Sequence, residues 1–330
     1  MSPTTPLTFT PRLVAKPWGG DRLRALGRDV PVGAQVGESW EVADLPDDAT
    51  TVSDPVSRVA DGPLAGLSLG DLLLRDRDGL LGASAPSPSG RFPLLVKLLD
   101  ARETLSVQVH PPLSIAADAH KTETWVVLAA EPGAHLLLGV RDGVTADAVA
   151  AAAGSASLVP LLGRVAVVAG DVVHVPAGVI HALGAGVLVA EVQTPSDVTY
   201  RLYDWAEDGP DRSRRLHVPQ AMESIRASWS HNINVQLAPD VDGVLVDTPQ
   251  YRLERVQLMA GTPVPAAGAV GRPRVLLVVE GAVSWDVAPG PEMSPRRALQ
   301  LGGVCLLPAA CATRVYAGTG GATVLVATPA

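Results

Sequence analysis

Lysine is nearly absent from this 330-residue chain: 23 of its 26 basic side chains are arginine, and only Lys16, Lys97 and Lys121 remain. Where a sequence otherwise chooses Arg, a retained Lys marks a place that needs a compact ammonium, a tunable pKa or a slender reach. Cysteine is equally scarce. Cys305 and Cys311 have no further partners, which excludes a disulfide scaffold and fits a reducing cytoplasm. No run of about 18 apolar residues occurs, and residues 1–10 lack both a basic start and an apolar centre, so neither a membrane span nor a signal peptide is expected. Basic residues do not cluster, and the net charge is −8. Nucleic-acid and anionic-membrane surfaces need clustered cations, so small molecules are the expected partners.

What is present is apolar and strand-like. Hydrophobic residues make up 47% of the chain and charged ones 18%, enough apolar material for packed cores and too little charge for a disordered majority. Short β-branched and Leu-rich runs at 94–99, 106–110, 124–129, 135–140, 164–168, 172–175, 187–192 and 200–203 alternate with Pro and Gly. They read as strands spaced for an all-β sandwich or jelly roll. Helices are expected at 68–75, at 145–153 behind a Thr cap, and at 218–227 around Pro219. The length suggests two domains. A change of character after Ser228 places the boundary so that 1–235 is catalytic and 236–330 is a smaller, non-catalytic β-domain.

Two octapeptides, 170–177 (GDVVHVPA) and 302–309 (GGVCLLPA), share a glycine turn, an apolar strand and a Pro-Ala corner at the same spacing. They form a weak internal repeat. His181 follows the first copy, and Thr313 stands at the corresponding place after the second. Only the first copy offers a metal ligand.

That ligand sits in an unbroken G-x5-P-x-G-x2-H pattern: Gly170, Pro176, Gly178, His181. The glycine permits a tight turn, and Pro-x-Gly shapes a corner that returns the next strand. Upstream, Gln108 and His110 lie two apart on one strand face, and Lys121-Thr122-Glu123 follows. Two imidazoles and a carboxylate from different strands make a divalent-metal site, His110, Glu123 and His181. Gln108 is a candidate fourth ligand, with a hydrogen bond in the core as its alternative role. The mixed N/O set suits one Zn2+ per chain and admits manganese, iron or cobalt.

The pattern around His181 resembles the second motif of the cupin superfamily. The segments 16–20 (KPWGG), 37–41 (GESWE), 92–100 (FPLLVKLLD), 105–111 (LSVQVHP), 121–125 (KTETW) and 196–204 (SDVTYRLYD) resemble, in order, the signatures of type I phosphomannose isomerases of the short bacterial form. The resemblance runs from about residue 11 to 225 and takes in all three lysines. It implies a cupin-type jelly-roll barrel with peripheral helices plus a degenerate second cupin, bound zinc, and interconversion of mannose 6-phosphate and fructose 6-phosphate.

Within that reaction, Arg201 is expected to stabilise enediolate charge, with a salt bridge to Asp197 or Asp204 as its structural alternative. Glu191 or a metal-bound water is the candidate base. Lys97, Lys121 and Ser106 are candidates for binding phosphate or hydroxyl oxygens. Trp18, Trp40 and Trp125 are expected to pack. His120, His135, His217 and His231 gain no ligand role, and His174 is expected to face His181 across the Pro corner as a wall residue. The chain departs from the family in its short gap between His110 and Glu123. Pro112-Leu113 replaces the acidic residues that often follow the His-Pro step, in a loop expected at the pocket mouth. Two other readings stand beside this one: another cupin sugar-phosphate isomerase, such as a glucose-6-phosphate isomerase, and a non-catalytic sugar-binding cupin. The sequence carries nothing on oligomeric state.

Overall fold

The computed structural model describes residues 3–205, 214–232, 242–265, 271–286 and 296–330. Eleven strands precede residue 205: β1 (Arg12–Gly20), β2 (Val36–Val42), β3 (Leu95–Ala101), β4 (Val107–Val109), β5 (Glu123–Ala130), β6 (His135–Val140), β7 (Leu162–Ala166), β8 (Val172–Val175), β9 (His181–Leu183), β10 (Val187–Gln193) and β11 (Tyr200–Tyr203). Six more follow: β12 (Gly243–Asp247), β13 (Tyr251–Leu258), β14 (Arg274–Trp285), β15 (Arg297–Gln300), β16 (Val304–Leu307) and β17 (Tyr316–Pro329). The helices are α1 (Leu69–Arg75), α2 (Arg77–Leu81), α3 (Ala146–Ala152) and α4 (Val218–Ala227).

The strands form three antiparallel sheets. The first runs β1-β2-β3-β10-β5-β8 and the second β11-β4-β9-β6-β7. The third runs β12-β13-β17-β14-β15, with β16 also on β14. The mostly β, cupin-type architecture expected from the sequence is what is observed. Alternation decides which side chains meet. Along β10, Val187 and Val189 enter the core between the first two sheets, while Leu188, Ala190 and Val192 face the third. Both faces are therefore covered, which is why β2, β3 and β10 are buried along their whole length. Each large apolar side chain removed from water in this way contributes about 1.5–3 kcal/mol.

The inner core joins Leu99, Trp125, Val127, Val173 and Val189 of the first sheet to Leu136, Leu138 and Leu183 of the second. On the outer face of the second sheet, Val107, Val109, Ile180 and Ala182 pack under Val149 of α3 and Met222 and Ile225 of α4. Behind the first sheet, Val96, Leu98, Val126 and Val192 share one core with Tyr251, Leu253, Leu277 and Leu325 of the third. Leu7 also pairs with Leu306 across this junction.

The expected helices form where their caps sit. Ser68 and Asp71 make a reciprocal capping box at α1, and the Thr145 hydroxyl accepts from the Ala148 N–H at α3. The two octapeptides of the repeat are both a left-handed glycine (Gly170, φ 99°; Gly302, φ 79°) followed by a strand, β8 or β16. Residues 233–241, which include the expected boundary at 235/236, lie outside the described residues. No described helix is long and apolar enough to cross a membrane.

Candidate metal centre and active-site pocket

Period-two alternation along β4 sends Val107 and Val109 toward the helices and Ser106, Gln108 and His110 inward. Opposite them, His181 opens β9, paired with Gln108 and Leu138, and Glu123 opens β5. The corner before β9 works as its composition suggests. Gly178 takes φ 82°, and its N–H donates to the His110 carbonyl at 2.9 Å. One turn thus fixes two candidate ligands.

The three side chains converge. Glu123 Oε1 lies 3.5 Å from His110 Nε2 and 3.3 Å from His181 Nε2. The two rings stand 4.8 Å apart between centroids. His110 Nδ1 is 2.8 Å from the Val198 carbonyl, and His181 Nδ1 is 2.9 Å from the Val179 carbonyl. A carbonyl only accepts, so both Nδ1 atoms carry hydrogen and both Nε2 atoms present lone pairs. Three buried acceptors therefore point at one another. His110 Nε2 and Glu123 Oε1 have no hydrogen-bond partner. Buried acceptors in that state are costly unless a cation joins them, so the donor set fits a divalent metal, with both histidines oriented from behind as metal ligands usually are. Burial pushes His181 down to about 3 and His110 down as well, keeping both neutral for ligation. Burial alone would raise the Glu123 carboxyl, but the Lys121 ammonium beside it holds it well below the usual carboxylate range. Among the described residues this is the one His/Cys/Asp/Glu group placed to hold a metal.

Gln108 stands beside the trio. Its Oε1 accepts from Ser106 Oγ at 3.1 Å, and its Nε2 faces His181 Nε2 at 3.3 Å. Ligation through Oε1 needs a half-turn of the amide, after which Nε2 can donate to Ser106 Oγ instead.

Above the trio opens a cavity of about 400 Å³ lined by Lys16, Lys97, Lys121, Ser106, Gln108, Glu191 and Arg201. All three lysines of the chain meet there. Lys121 Nζ lies 2.8 Å from Glu123 Oε2 and 3.9 Å from Glu191 Oε1, between the carboxylate of the trio and the candidate base. Burial raises the Glu191 carboxyl, Lys121 opposes it and Glu123 adds to it, and the result is about 7. Lys97 is held differently, buried between Asp197 (3.0 Å) and Glu38 (3.4 Å), with its ammonium 4.5 Å from the Trp40 ring centroid. Glu38 also takes Lys16 at 2.9 Å and the Trp40 indole N–H at 2.7 Å. Arg201 makes no ion pair with either foreseen acid among the described residues: Arg214 grips Asp204 at 2.8 and 2.9 Å, and Asp197 serves Lys97 and Thr50.

Three expectations need correction or addition. His174 does not face His181, because on β8 it is Val173 and Val175 that point into the inner core; His174 points outward and meets the Thr124 hydroxyl at 3.0 Å. The loop after His110 does not line the cavity; the loop residues that do are Asp48, Ala49, Thr50 and Thr51 and, before β11, Val198 and Thr199. Leu113 instead borders a separate small cavity with His120. The tryptophans are buried as expected, yet two carry polar work as well. The Trp125 N–H donates to Glu191 Oε2 at 3.1 Å and its ring stands edge-on to His181, while Trp40 serves Glu38. Cross-strand register, Glu191 opposite Trp125, finds the first pair, and the i, i+2 spacing of Glu38 and Trp40 on one face of β2 finds the second. His217 and Arg214 also reach the cavity, a placement that sequence spacing did not reveal.

Residues 8–128 match the family model for the catalytic domain of type I phosphomannose isomerase. The chain is 36% identical over 262 residues to a mannose-6-phosphate isomerase of Streptococcus mutans, covering 77% of this chain and 79% of that one. It is 35% identical over 228 residues to mannose-6-phosphate isomerase ManA of Bacillus subtilis, covering 67% and 68%. The crystal structure of a mannose 6-phosphate isomerase from Bacillus subtilis superposes with a TM-score of 0.78 at 26% identity, over 98% of this chain and 99% of the other. A mutant phosphomannose isomerase from Salmonella typhimurium, at 16% identity, shares the fold with a TM-score of 0.72 over 98% and 99% of the two chains.

Proposed function

The chain belongs to the type I phosphomannose isomerase family, and on that premise we propose that it interconverts mannose 6-phosphate and fructose 6-phosphate at this cavity. The observation that carries the reading is the convergence of His110 Nε2, His181 Nε2 and Glu123 Oε1 beneath a cavity that also presents Glu191, Lys121 and Arg201. In this reading the trio holds one zinc or another divalent ion, with Gln108 joining through its amide oxygen. Bound there, the ion supplies Lewis acidity toward the substrate oxygens O1 and O2, lowering the cost of enediolate charge.

The protein's own groups do the proton work. Glu191, poised near neutrality, removes the C2 proton of the aldose and returns a proton to C1, while the hydroxyl proton passes from O2 to O1. Trp125 fixes the carboxyl through its second oxygen, leaving Oε1 toward Lys121. The Lys121 ammonium, between Glu123 and Glu191, donates to the oxygen that becomes negative. Arg201, free of its foreseen acids, lends a permanent positive charge to the same side of the cavity. Ser106 and Lys97 serve the substrate's hydroxyl or phosphate oxygens from the wall. Catalysis belongs to residues 1–235, and 236–330 contributes no group that touches substrate.

Isotope exchange tests the chemistry. With mannose 6-phosphate in deuterated water, fructose 6-phosphate is expected to carry deuterium at C1, and Glu191→Gln to lower turnover and exchange together by about 10²–10⁴-fold. Turnover without any deuterium would indicate a hydride shift and sink the enediol route. Exclusive turnover of glucose 6-phosphate would reassign the substrate.

A further inference from the structure

The third sheet reaches the back of the metal site through one hydroxyl. Tyr251, the first residue of β13, is fully buried. Its hydroxyl donates to the Val192 carbonyl of β10 at 3.1 Å and lies 2.8 Å from the Thr124 hydroxyl of β5. Val192 and Thr124 are directly opposite in the β10–β5 ladder. On one side of that pair Glu191 stands opposite Trp125, and on the other Gln193 stands opposite Glu123. Tyr251 therefore ties the single rung between the candidate base and the carboxylate of the trio.

The tie continues one strand further. Thr124 is opposite His174 in the β5–β8 ladder, and its hydroxyl lies 3.0 Å from His174 Nδ1. The proton order follows from the acceptor at the end. The Val192 carbonyl can only accept, so Tyr251 donates to it; Thr124 then donates to Tyr251, and His174 Nδ1–H donates to Thr124. Three strands of the first sheet are joined at one level, on the face opposite Glu123 and Glu191. A chain of buried hydrogen bonds with one consistent direction holds its members to one geometry.

We propose that Tyr251 is a positioning residue for the metal and proton-transfer site: through the Val192–Thr124 rung, the C-terminal sheet sets the separation of Glu123 and Glu191. This rests on the metal-site reading above. It gives 236–330 a part in catalysis without contact with substrate, and it accounts for a tyrosine where a phenylalanine would fill the same apolar space.

The test measures zinc affinity by chelator competition, together with kcat and KM for mannose 6-phosphate. Tyr251→Phe keeps the ring and deletes the tie. It is expected to weaken zinc by about tenfold, within the range for groups behind metal ligands, and to lower kcat with KM within about twofold. Thr124→Val should match it, the double variant should be no worse than either single one because they break one network, and Thr124→Ser should restore the wild-type values. Leu253→Ala, a cavity on the same strand, is the structural control: a lower melting temperature with unchanged zinc affinity. Should Tyr251→Phe and Thr124→Val both behave like Leu253→Ala, the inference is overturned. A wild-type protein that binds zinc but leaves mannose 6-phosphate unconverted would sink the substrate assignment alone, since the affinity comparison still decides the role of Tyr251. Wild-type protein that binds no divalent ion removes the metal reading and this inference together.

Discussion

Glu191 is the residue whose chemistry depends most on its surroundings. Burial, with Glu123 adding to it and Lys121 opposing it, pushes its carboxyl up to about 7, and only the deprotonated form can take a proton. Activity should therefore be present above that value and fall as pH drops through it, with kcat/KM losing about tenfold per unit on the acid limb. A profile flat from pH 5 to 8 would exclude Glu191 as the base. Glu191→Gln is expected to lower kcat by about 10²–10⁴-fold with the fold intact by circular dichroism. Lys97 poses the opposite case. Its side chain is 3% exposed between Glu38 and Asp197, and Lys97→Met would leave Asp197 with no ion-pair partner among the described residues and Glu38 with Lys16 alone. The expected loss is about 3–5 kcal/mol of stability, read by denaturant titration. A loss below 1 kcal/mol would mean the pair is well hydrated. The sequence made Lys97 and Lys121 conspicuous because lysine is so rare in it. It could not assign one to a carboxylate clamp and the other to Glu123, because Glu38 and Asp197 reach Lys97 only through strand pairing and a distant loop.

At the scale of the element, alternation and corners decide what the sequence can reveal. Gln108 and His110 were legible as one face because a strand fixes that by period two, and Ser106 extends it. His181 was legible because a Pro-x-Gly corner aims it. The same alternation corrects His174, which a reading of spacing alone had turned inward. The corner glycines provide a graded test. Gly170 and Gly178 both have positive φ, so an alanine at either costs roughly 1–2 kcal/mol from backbone conformation. At Gly170 the added Cβ meets nothing, whereas at Gly178 it collides with the Ser228 side chain. Gly170→Ala should be only mildly destabilised and keep wild-type zinc affinity. Gly178→Ala should be less stable and bind zinc weakly, because the same turn holds the His110 carbonyl and delivers His181. Equal zinc affinity in the two variants would contradict that account of the corner.

Across the whole molecule, the first sheet is sandwiched. Its inner face carries the site, and its outer face is closed by the third sheet through Tyr251, Leu253, Leu277 and Leu325. The repeat between 170–177 and 302–309 was visible in sequence. The burial of one copy's sheet against the other was not, because the residues that meet, such as Val192 and Tyr251, are far apart in the chain. Truncation after Asn232 would expose that apolar face, and the shortened chain is expected to aggregate on expression; a soluble, folded product that binds zinc would contradict the shared core. The central claim, however, is that turnover depends on the ion held by His110, Glu123 and His181. The most direct measurement is conversion of mannose 6-phosphate by wild-type protein before chelation, after chelation, and after titration with zinc. Activity should vanish on stripping and return in full at one equivalent of zinc per chain. Conversion that persists undiminished in protein shown to be metal-free would contradict the account.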